Sequence, residues 1–249
     1  MRFTKMEGLG NDFVVVEGRP SGPDQVKAWC DRRHGIGADG VLTVGPEPFM
    51  LYWNADGTPA EMCGNGLRCV ARYAVDRGWC KAGEWFSIST PVGSRWALVD
   101  GDVVTVEIGP VQLGDPIEIE GVEYRRASLG NPHAVRVVED PDSIDVAQVG
   151  PVVAGAPGFP DGANVEFVAL TSPGHIRMRV WERGVGETLA CGTGMVAAAA
   201  VVSGAHEDSV QVDVPGGRAE VTFRDGSAYL SGPAKTVFTG EIDSGSELS

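Results

Sequence analysis

A cysteine followed by Gly-x-Gly occurs at two places in the sequence, and each time the chain continues into a helical run. Cys63 opens "CGNGLRCVARYAV" and Cys191 opens "CGTGMVAAAAVV". Unpaired backbone N–H groups and the positive end of the helix dipole favour an anion at such a place. A thiol there is therefore expected to lose its proton more easily than an ordinary cysteine. The alternative is a small buried hydrophobic residue, which free cysteines usually are.

Other landmarks recur around the two cysteines in the same order. The segment "GLGNDFVVV" resembles "SLGNPHAVRVV", and "GADGVLTV" resembles "DGANVEFVAL". The offsets agree closely: 120 from Asn11 to Asn131, 125 from Ala38 to Ala163, and 128 from Cys63 to Cys191. A repeat in one register predicts two similar halves. A Gly-x-Gly turn alone could be kept because it suits a strand-to-helix connection, but that interpretation leaves the repeated cysteine unexplained.

Short alternating runs such as "DVVTVEIG" and "AEVTF", separated by glycines and prolines, predict many short strands and few helices. We therefore expect an α+β fold with two pseudo-symmetric lobes, each a strand-rich mixed sheet wrapped around a central helix. The expected N-terminal lobe is 1–110, carries Cys63 and is joined by a final strand near 236–243. The expected C-terminal lobe is 111–235 and carries Cys191.

Two thiols facing one ligand suit a particular proton-transfer reaction. A thiolate that removes a proton from one face of a carbon, with a thiol that delivers a proton to the other face, inverts the configuration. If the carbon is the α-carbon of an amino acid, backbone amides at the helix starts can hold its carboxylate; these are the amides of Gly64, Asn65, Gly192 and Thr193. No lysine context typical of pyridoxal phosphate is visible, and "GIGADG" does not fit a dinucleotide loop. Cofactor-free proton transfer is the simplest interpretation.

The composition limits the partners. The 249-residue chain has a formal net charge of -14 without a basic run, which argues against nucleic acid. No segment has the apolar length of a membrane span, and the start lacks a signal peptide, so we expect a cytoplasmic protein without membrane association. Five cysteines, an odd number, are expected to be reduced thiols. None of the four histidines is paired at zinc-ligand spacing, so no metal site is expected.

Six segments together resemble the diaminopimelate epimerase family: "LGNDFVVV", "HGIGADGV", "NADGTPAEMCGNGLRC", "GNPHAV", "GANVEFV" and "WERGVGETLACGTG". They follow the family's order and span nearly the whole chain. The resemblance implies interconversion of LL- and meso-2,6-diaminopimelate, a step in the synthesis of lysine and peptidoglycan precursors. It also implies two catalytic cysteines, neither pyridoxal phosphate nor metal, a two-domain pseudo-symmetric fold and a homodimer.

Carried over position by position, the resemblance makes Cys63 and Cys191 the acid–base pair. The residues that it assigns to substrate binding are Asn11, Asn54, Gly64, Asn65, Asn131, Asn164, Glu182, Arg183, Gly192 and Thr193. Arg183 would hold the distal carboxylate in a bidentate fork, and His133 with Glu182 would support the catalytic thiols. Each has an ordinary alternative, because asparagines in such contexts often form turns and Arg183 could be a surface ion pair.

Two positions depart from the family pattern: Gly40 and Met62 stand where many relatives carry glutamine. A side-chain contact to substrate is therefore expected to be missing. Two competing functions remain open. A two-thiol racemase of proline, hydroxyproline or histidine would share the cysteines, although residues suited to a second charged head group argue against it. A thiol redox protein would be expected to contain a CxxC pair, and a non-catalytic binding module would need no repeated thiol.

Overall fold

The computed structural model of the chain describes residues 1–205 and 209–242. Contacts divide it into two compact units. Among these residues, lobe 1 comprises 1–106 and 233–242, and lobe 2 comprises 107–205 and 209–232. The expected final strand near 236–243 extends one residue beyond the described part of the chain.

Lobe 1 contains most of its elements before residue 107. They are β1 (Arg2–Gly8), β2 (Asn11–Val16), α1 (Pro23–Cys30), β3 (Gly40–Thr43), β4 (Leu51–Asn54), β5 (Pro59–Ala60), α2 (Gly64–Asp76), β6 (Phe86–Thr90), β7 (Gly93–Asp100) and β8 (Val103–Gly109), whose last residues belong to lobe 2.

Lobe 2 is formed by the second half of the chain. Its elements are β9 (Gln112–Leu113), β10 (Ile117–Ile119), β11 (Val122–Ser128), β12 (Pro132–Val137), a 3-10 turn (Pro141–Ser143), α3 (Val146–Ala154), β13 (Asn164–Ser172), β14 (His175–Glu182), β15 (Gly186–Thr188), α4 (Gly192–Ser203), β16 (Ser209–Val214), β17 (Gly217–Arg224) and β18 (Ser227–Pro233). The last strand, β19 (Lys235–Glu241), pairs antiparallel with β1 in lobe 1. No helix of the described ranges is long and apolar enough to cross a membrane.

The same strand path occurs in both lobes. In lobe 1, β1 and β2 are antiparallel, β2 and β3 parallel, and β3 and β4 antiparallel. In lobe 2, β11 and β12 are antiparallel, β12 and β13 parallel, and β13 and β14 antiparallel. Each path leads to a helix that follows Cys63 or Cys191, α2 or α4. The expected α+β fold, with a mixed sheet and a central helix in each lobe, is confirmed.

The central helices are buried because their side chains are small or apolar. In α4 every residue from Gly194 to Ala200 is buried, and the helix packs against β11 to β14, β16 and β17. Alanine is the best helix former and allows the strands to approach closely. In lobe 1, β2 is buried from Phe13 to Val16. Successive side chains of a strand point to opposite faces, so both faces of β2 are covered: α1 packs on Val14 and Val16, and α2 also contacts β2.

The structure explains why position 40 is a glycine in this chain. It begins β3 and lies opposite Asn54 in β4. A Cβ atom at Gly40 would lie 2.4 Å from the Trp53 carbonyl oxygen and 2.4 Å from Cε2 of Tyr52. The Tyr52 ring and the neighbouring strand therefore occupy the space that a side chain at position 40 would need.

We expect Gly40→Ala to lower the free energy of unfolding by about 1–3 kcal/mol, the usual cost of overpacking a closely packed site. Urea denaturation of both proteins measures it. Ser87→Ala, on an exposed position of β6, is the control and should stay within about 0.5 kcal/mol of the parent. Equal stability of Gly40→Ala and the parent would contradict the close contact with Tyr52 and Trp53.

Candidate active site

Both cysteines of the repeated motif are helix N-caps. Cys63 has an extended backbone (φ -147, ψ 111), and its Sγ accepts a hydrogen bond from the Gly66 N–H at 3.3 Å. Cys191 has φ -114 and ψ 117, and its Sγ accepts from the Gly194 N–H at 3.4 Å. The sulfur thus takes the place of the oxygen that normally caps a first turn. The predicted helix starts at both cysteines are confirmed.

The second glycine of each Gly-x-Gly lies at a position with little room for a side chain. A Cβ atom at Gly66 would lie 3.1 Å from Cδ2 of Leu42 and 3.5 Å from the Cys63 sulfur. A Cβ atom at Gly194 would lie 3.3 Å from the Cys191 sulfur and 2.8 Å from Glu166 Oε1. Close approach explains the repeated glycines. It does not require a thiol at the N-cap, which serine or threonine would fill equally well.

In lobe 1, two asparagine side chains lie beside the Cys63 thiol. Oδ1 of Asn11 is 3.8 Å from Cys63 Sγ and 3.4 Å from Nδ2 of Asn65. The other end of the Asn11 amide donates to Asp39 Oδ2 at 2.6 Å. Oδ1 of Asn65 accepts from Nη2 of Arg68 at 2.9 Å. Asn11, Cys63 and Asn65, three of the residues predicted for the site, are therefore brought together.

A cluster of charges supports Asp39. Arg32 donates to both carboxylate oxygens of Asp12, at 3.0 and 2.8 Å, and to Asp39 Oδ1 at 2.7 Å. Lys5, only 6% exposed, lies 2.7 Å from Asp12 Oδ2. Burial acts to raise the pKa of Asp12, but the hydrogen bonds from Arg32 and Lys5 outweigh it and lower that pKa to about 2. Asp12 is thus ionised at neutral pH, between its two cations.

In lobe 2, hydrogen bonds run from a buried acid to the Cys191 thiol. Glu166 Oε1 lies 2.7 Å from Nδ1 of His133, and both side chains are fully buried. Nε2 of His133 lies 3.2 Å from Asn131 Oδ1. Nδ2 of Asn131 donates to the Thr193 hydroxyl at 3.2 Å, and that oxygen lies 3.6 Å from Cys191 Sγ. His133, Asn131, Thr193 and Cys191, all predicted for the site, therefore form one group.

A second acid, Glu182, also interacts with the Cys191 thiol. Its Oε1 accepts a short hydrogen bond from Thr188, and its carboxyl also interacts with Cys191. Burial raises the pKa of Glu182, while the hydrogen bonds from Thr188 and Cys191 oppose the rise. Burial also raises the pKa of Cys191 well above its ordinary value, and the carboxylates of Glu182 and Glu166 raise it further. The expectation that this thiol loses its proton easily is wrong for Cys191, because burial and two acids outweigh the helix N-terminus.

Three further predicted residues lie in other contacts. Oδ1 of Asn164, a buried residue, accepts from the backbone N–H of Arg183 at 2.9 Å. The Arg183 side chain is exposed, and its Nη1 donates to the carbonyl of Asp161 at 2.9 Å. Asn54 donates from Nδ2 to the Thr58 hydroxyl at 3.0 Å, which is the turn role considered for it. Asn164 and Arg183 thus form a pair, and Asn54 stabilises the turn between β4 and β5.

Three charged residues at the site were missed by the sequence analysis: Asp39, Arg68 and Glu166. Glu166 lies in "NVEFV", a strand whose first six residues are all buried. An acid inside an otherwise apolar run was the available signal, because a buried charge requires a partner. Arg68 follows Asn65 by one helical turn, the spacing at which helical side chains meet. Asp39 had no comparable local signal, because it reaches Asn11 only through the pairing of β2 with β3.

Of the remaining cysteines, Cys30 and Cys69 are buried and Cys80 is partly exposed. Burial raises the pKa of Cys30 to about 11 and also raises that of Cys69 and Cys80. All five cysteines are free thiols. In the part of the chain that the structure describes, no cluster of three or more His, Cys, Asp or Glu side chains could hold a metal ion.

The family model described as diaminopimelate epimerase matches residues 3–114 and 126–237, one match in each half of the chain. The chain belongs to the diaminopimelate epimerase family. Relatives of that name cover nearly its full length. The one from Alkalilimnicola ehrlichii is 44% identical and covers 97% of this chain and 98% of its own. The one from Leptospira biflexa is 37% identical, with 98% and 99% covered. The resemblance based on the six sequence segments is confirmed.

Solved structures with the same fold are more distant in sequence. A probable proline racemase from Agrobacterium radiobacter superposes with a TM-score of 0.73 at 15% identity, over 97% of this chain and 92% of that chain. A phenazine biosynthesis protein of the PhzF family from Bacillus anthracis gives a TM-score of 0.71 at 16% identity, over 97% and 98%. These two similarities establish the fold and do not bear on the substrate.

The two N-cap thiols should differ in reactivity. Cys63 is partly exposed, whereas Cys191 is 5% exposed and has a raised pKa. Iodoacetamide reacts with the thiolate, so in ligand-free protein at neutral pH it should modify Cys63 faster than Cys191. Mass spectrometry of the peptides gives both rates. A rate at Cys191 equal to or above that at Cys63 would contradict the assigned environments.

The buried pair of His133 and Glu166 should contribute strongly to stability. We expect His133→Ala to lower the free energy of unfolding by about 3–5 kcal/mol, because it leaves a buried carboxyl without its partner. Glu166→Gln keeps the shape and an acceptor for His133, and should cost clearly less. Urea denaturation compares the two. An equal cost would contradict this account, because Glu166→Gln keeps both the packing and a partner for His133.

Proposed function

We propose that this protein is an isomerase that interconverts LL-2,6-diaminopimelate and meso-2,6-diaminopimelate without pyridoxal phosphate or metal. The observation that carries the proposal is the duplicated cap: in a chain of this family, each lobe begins its central helix with a thiol whose sulfur takes a backbone hydrogen bond. We further propose that each lobe, 1–110 with the final strand and 111–235, supplies one of the two catalytic thiols.

Cys63 and Cys191 are the acid–base pair of the proposed reaction. One sulfur, as thiolate, removes the proton from the substrate α-carbon, and the other, as thiol, delivers a proton to the opposite face. The amides of Gly64 and Asn65 in lobe 1 and of Gly192 and Thr193 in lobe 2 bind the adjacent carboxylate, where negative charge develops as the proton leaves. Protons balance, since the first sulfur ends protonated and the second deprotonated.

Glu182 is proposed to prepare Cys191 for this reaction. Burial favours the protonated form of both groups. When the thiol transfers its proton to the neighbouring carboxylate, Cys191 becomes a thiolate at a helix N-terminus, with hydrogen-bond contacts to Gly194 and Thr193. His133 supports the same thiol through Asn131 and Thr193. Once Cys191 has taken the substrate proton it is a thiol again, so Glu182 then releases its proton to solvent and the Cys63 thiolate regains one from solvent.

The distal amino acid centre of diaminopimelate is proposed to bind Asn54, Asn164 and Arg183, with Asn11 and Asn131 beside the thiols. The exposed Arg183 guanidinium has the fork geometry that suits a carboxylate. Asn164 positions the backbone of Arg183, because its Oδ1 accepts a 2.9 Å hydrogen bond from the Arg183 N–H. A second charged head group is the feature that separates diaminopimelate from proline.

The cellular setting follows from the same proposal. We propose a cytoplasmic homodimer whose partner is its small-molecule substrate, in the synthesis of lysine and peptidoglycan precursors. The net charge of -14 supports an absence of nucleic-acid partners.

Single replacements of the two cysteines test the proposal. Purified, reduced protein with LL-diaminopimelate and no added cofactor should give the meso isomer, measured by chiral chromatography. Cys63→Ala and Cys191→Ala should each lower turnover at least about a thousandfold, because each removes an essential proton carrier. Cys80→Ala is the matched control and should retain full activity. Near-full turnover in either catalytic variant would overturn the two-thiol mechanism, and activity on proline alone would overturn the substrate.

A further inference from the structure

We propose that Arg68 and Asp39 are positioning residues that act on Cys63 through two asparagine amides. The four side chains form one directional line: Arg68 Nη2 donates to Asn65, Asn65 Nδ2 to Asn11, and Asn11 Nδ2 to Asp39. The distances along the line are 2.9, 3.4 and 2.6 Å. A guanidinium at one end and a carboxylate at the other determine its direction.

Arg68 can only donate and Asp39 only accepts, and this determines how the Asn65 and Asn11 amides between them are oriented. A guanidinium has only donors, so Asn65 must turn its oxygen to Arg68 and its Nδ2 to Asn11. An ionised carboxylate has only acceptors, so Asn11 must turn its Nδ2 to Asp39 and its oxygen away from it. Both constraints place the same atom, Asn11 Oδ1, at 3.8 Å from the Cys63 sulfur. An acceptor at that point takes the S–H proton and favours the thiol.

Arg68 acts on the sulfur in a second way. Its side chain is fully buried, and Nη1 has no hydrogen-bond partner among the described residues. A buried cation that lacks a complete set of partners favours nearby anions. The titratable groups that interact with it are Cys63, Cys69 and, at the end of β1, Glu7. Arg68 therefore favours the Cys63 thiolate, whereas the Asn11 oxygen held by Asp39 favours the thiol.

Asp39 still holds Asn11 when Arg68 is replaced, so the change at the sulfur that follows the loss of Arg68 is the loss of its charge. The two replacements should therefore change Cys63 in opposite directions. Arg68→Gln removes the cation, so the rate of alkylation at Cys63 should fall and its pH midpoint should rise. Asp39→Ala releases Asn11, whose Nδ2 can then turn to the sulfur and donate to the thiolate, so the rate should increase and the midpoint should fall. We expect shifts of about one pH unit, or about tenfold in thiolate population at a fixed pH.

Matched variants separate this effect from general changes. Arg72→Gln removes another arginine of α2, one whose side chain donates to the carbonyl of Gly101, and should leave the Cys63 midpoint unchanged. Arg68→Lys keeps the charge, so the pH midpoint of Cys63 alkylation should lie close to that of the parent protein. Asp12→Asn removes a negative charge from the cluster around Arg32 but keeps the bond between Asn11 and Asp39, so it should not reproduce the shift seen in Asp39→Ala.

The measurement is the rate of iodoacetamide modification of Cys63 from pH 6 to 10, followed by peptide mass spectrometry, with circular dichroism to check folding. Opposite shifts in Arg68→Gln and Asp39→Ala support the proposal. Shifts of the same sign, or equal shifts in Asp39→Ala and Asp12→Asn, overturn it. If Arg68→Gln does not fold, the comparison of Asp39→Ala with Asp12→Asn decides.

The inference rests on the proposed function only in taking Cys63 as a proton carrier. Alkylation needs no substrate, so a protein inactive on diaminopimelate could still show the opposed shifts. Conversely, an active epimerase whose Cys63 midpoint is the same in Arg68→Gln, Asp39→Ala and the parent would overturn the positioning roles and leave the proposed reaction intact.

Discussion

The structure depends on one local interaction that occurs in each lobe, the hydrogen bond from a first-turn N–H to a cysteine sulfur. At Cys63 and Cys191 the sulfur replaces the oxygen of an ordinary N-cap. A side chain at the second glycine of each motif would be crowded, by Leu42 at position 66 and by Glu166 and the Cys191 sulfur at position 194. The small residues of α4 in turn let the strands surround the helix that presents the thiol.

The two lobes use related residues in different ways around this common cap. In lobe 1 the asparagine of the repeat turns its oxygen to the sulfur of Cys63. In lobe 2 its counterpart, Asn131, donates to Thr193, whose hydroxyl is then free to donate to Cys191. The acids differ as well, since Asp39 pairs with the exposed Arg32 and Glu166 is fully buried with a histidine. A pseudo-symmetric fold therefore holds two thiols in unlike environments.

The helix starts and the two-lobe fold were predictable from local sequence patterns. The repeated Cys-Gly-x-Gly predicted both helix starts, and the matching offsets predicted two halves with one path, because each signal lies within a few residues of what it specifies. The protonation state of Cys191 could not be predicted in this way. It depends on burial and on Glu166 and Glu182, which lie on other strands. The Tyr52 ring that excludes a side chain at Gly40 is likewise a contact between strands.

The central claim is that two different thiols carry the two protons, and the position of deuterium in early turnover tests it most directly. LL-diaminopimelate is incubated in deuterated water, and both isomers are separated while conversion is still low. With two thiols, the product takes its α-hydrogen from the thiol that exchanged with solvent, so the meso isomer should carry deuterium and the remaining LL isomer should not. Retention of the original hydrogen in the meso product, or equal labelling of both isomers, would indicate a single proton carrier and contradict the two-thiol mechanism.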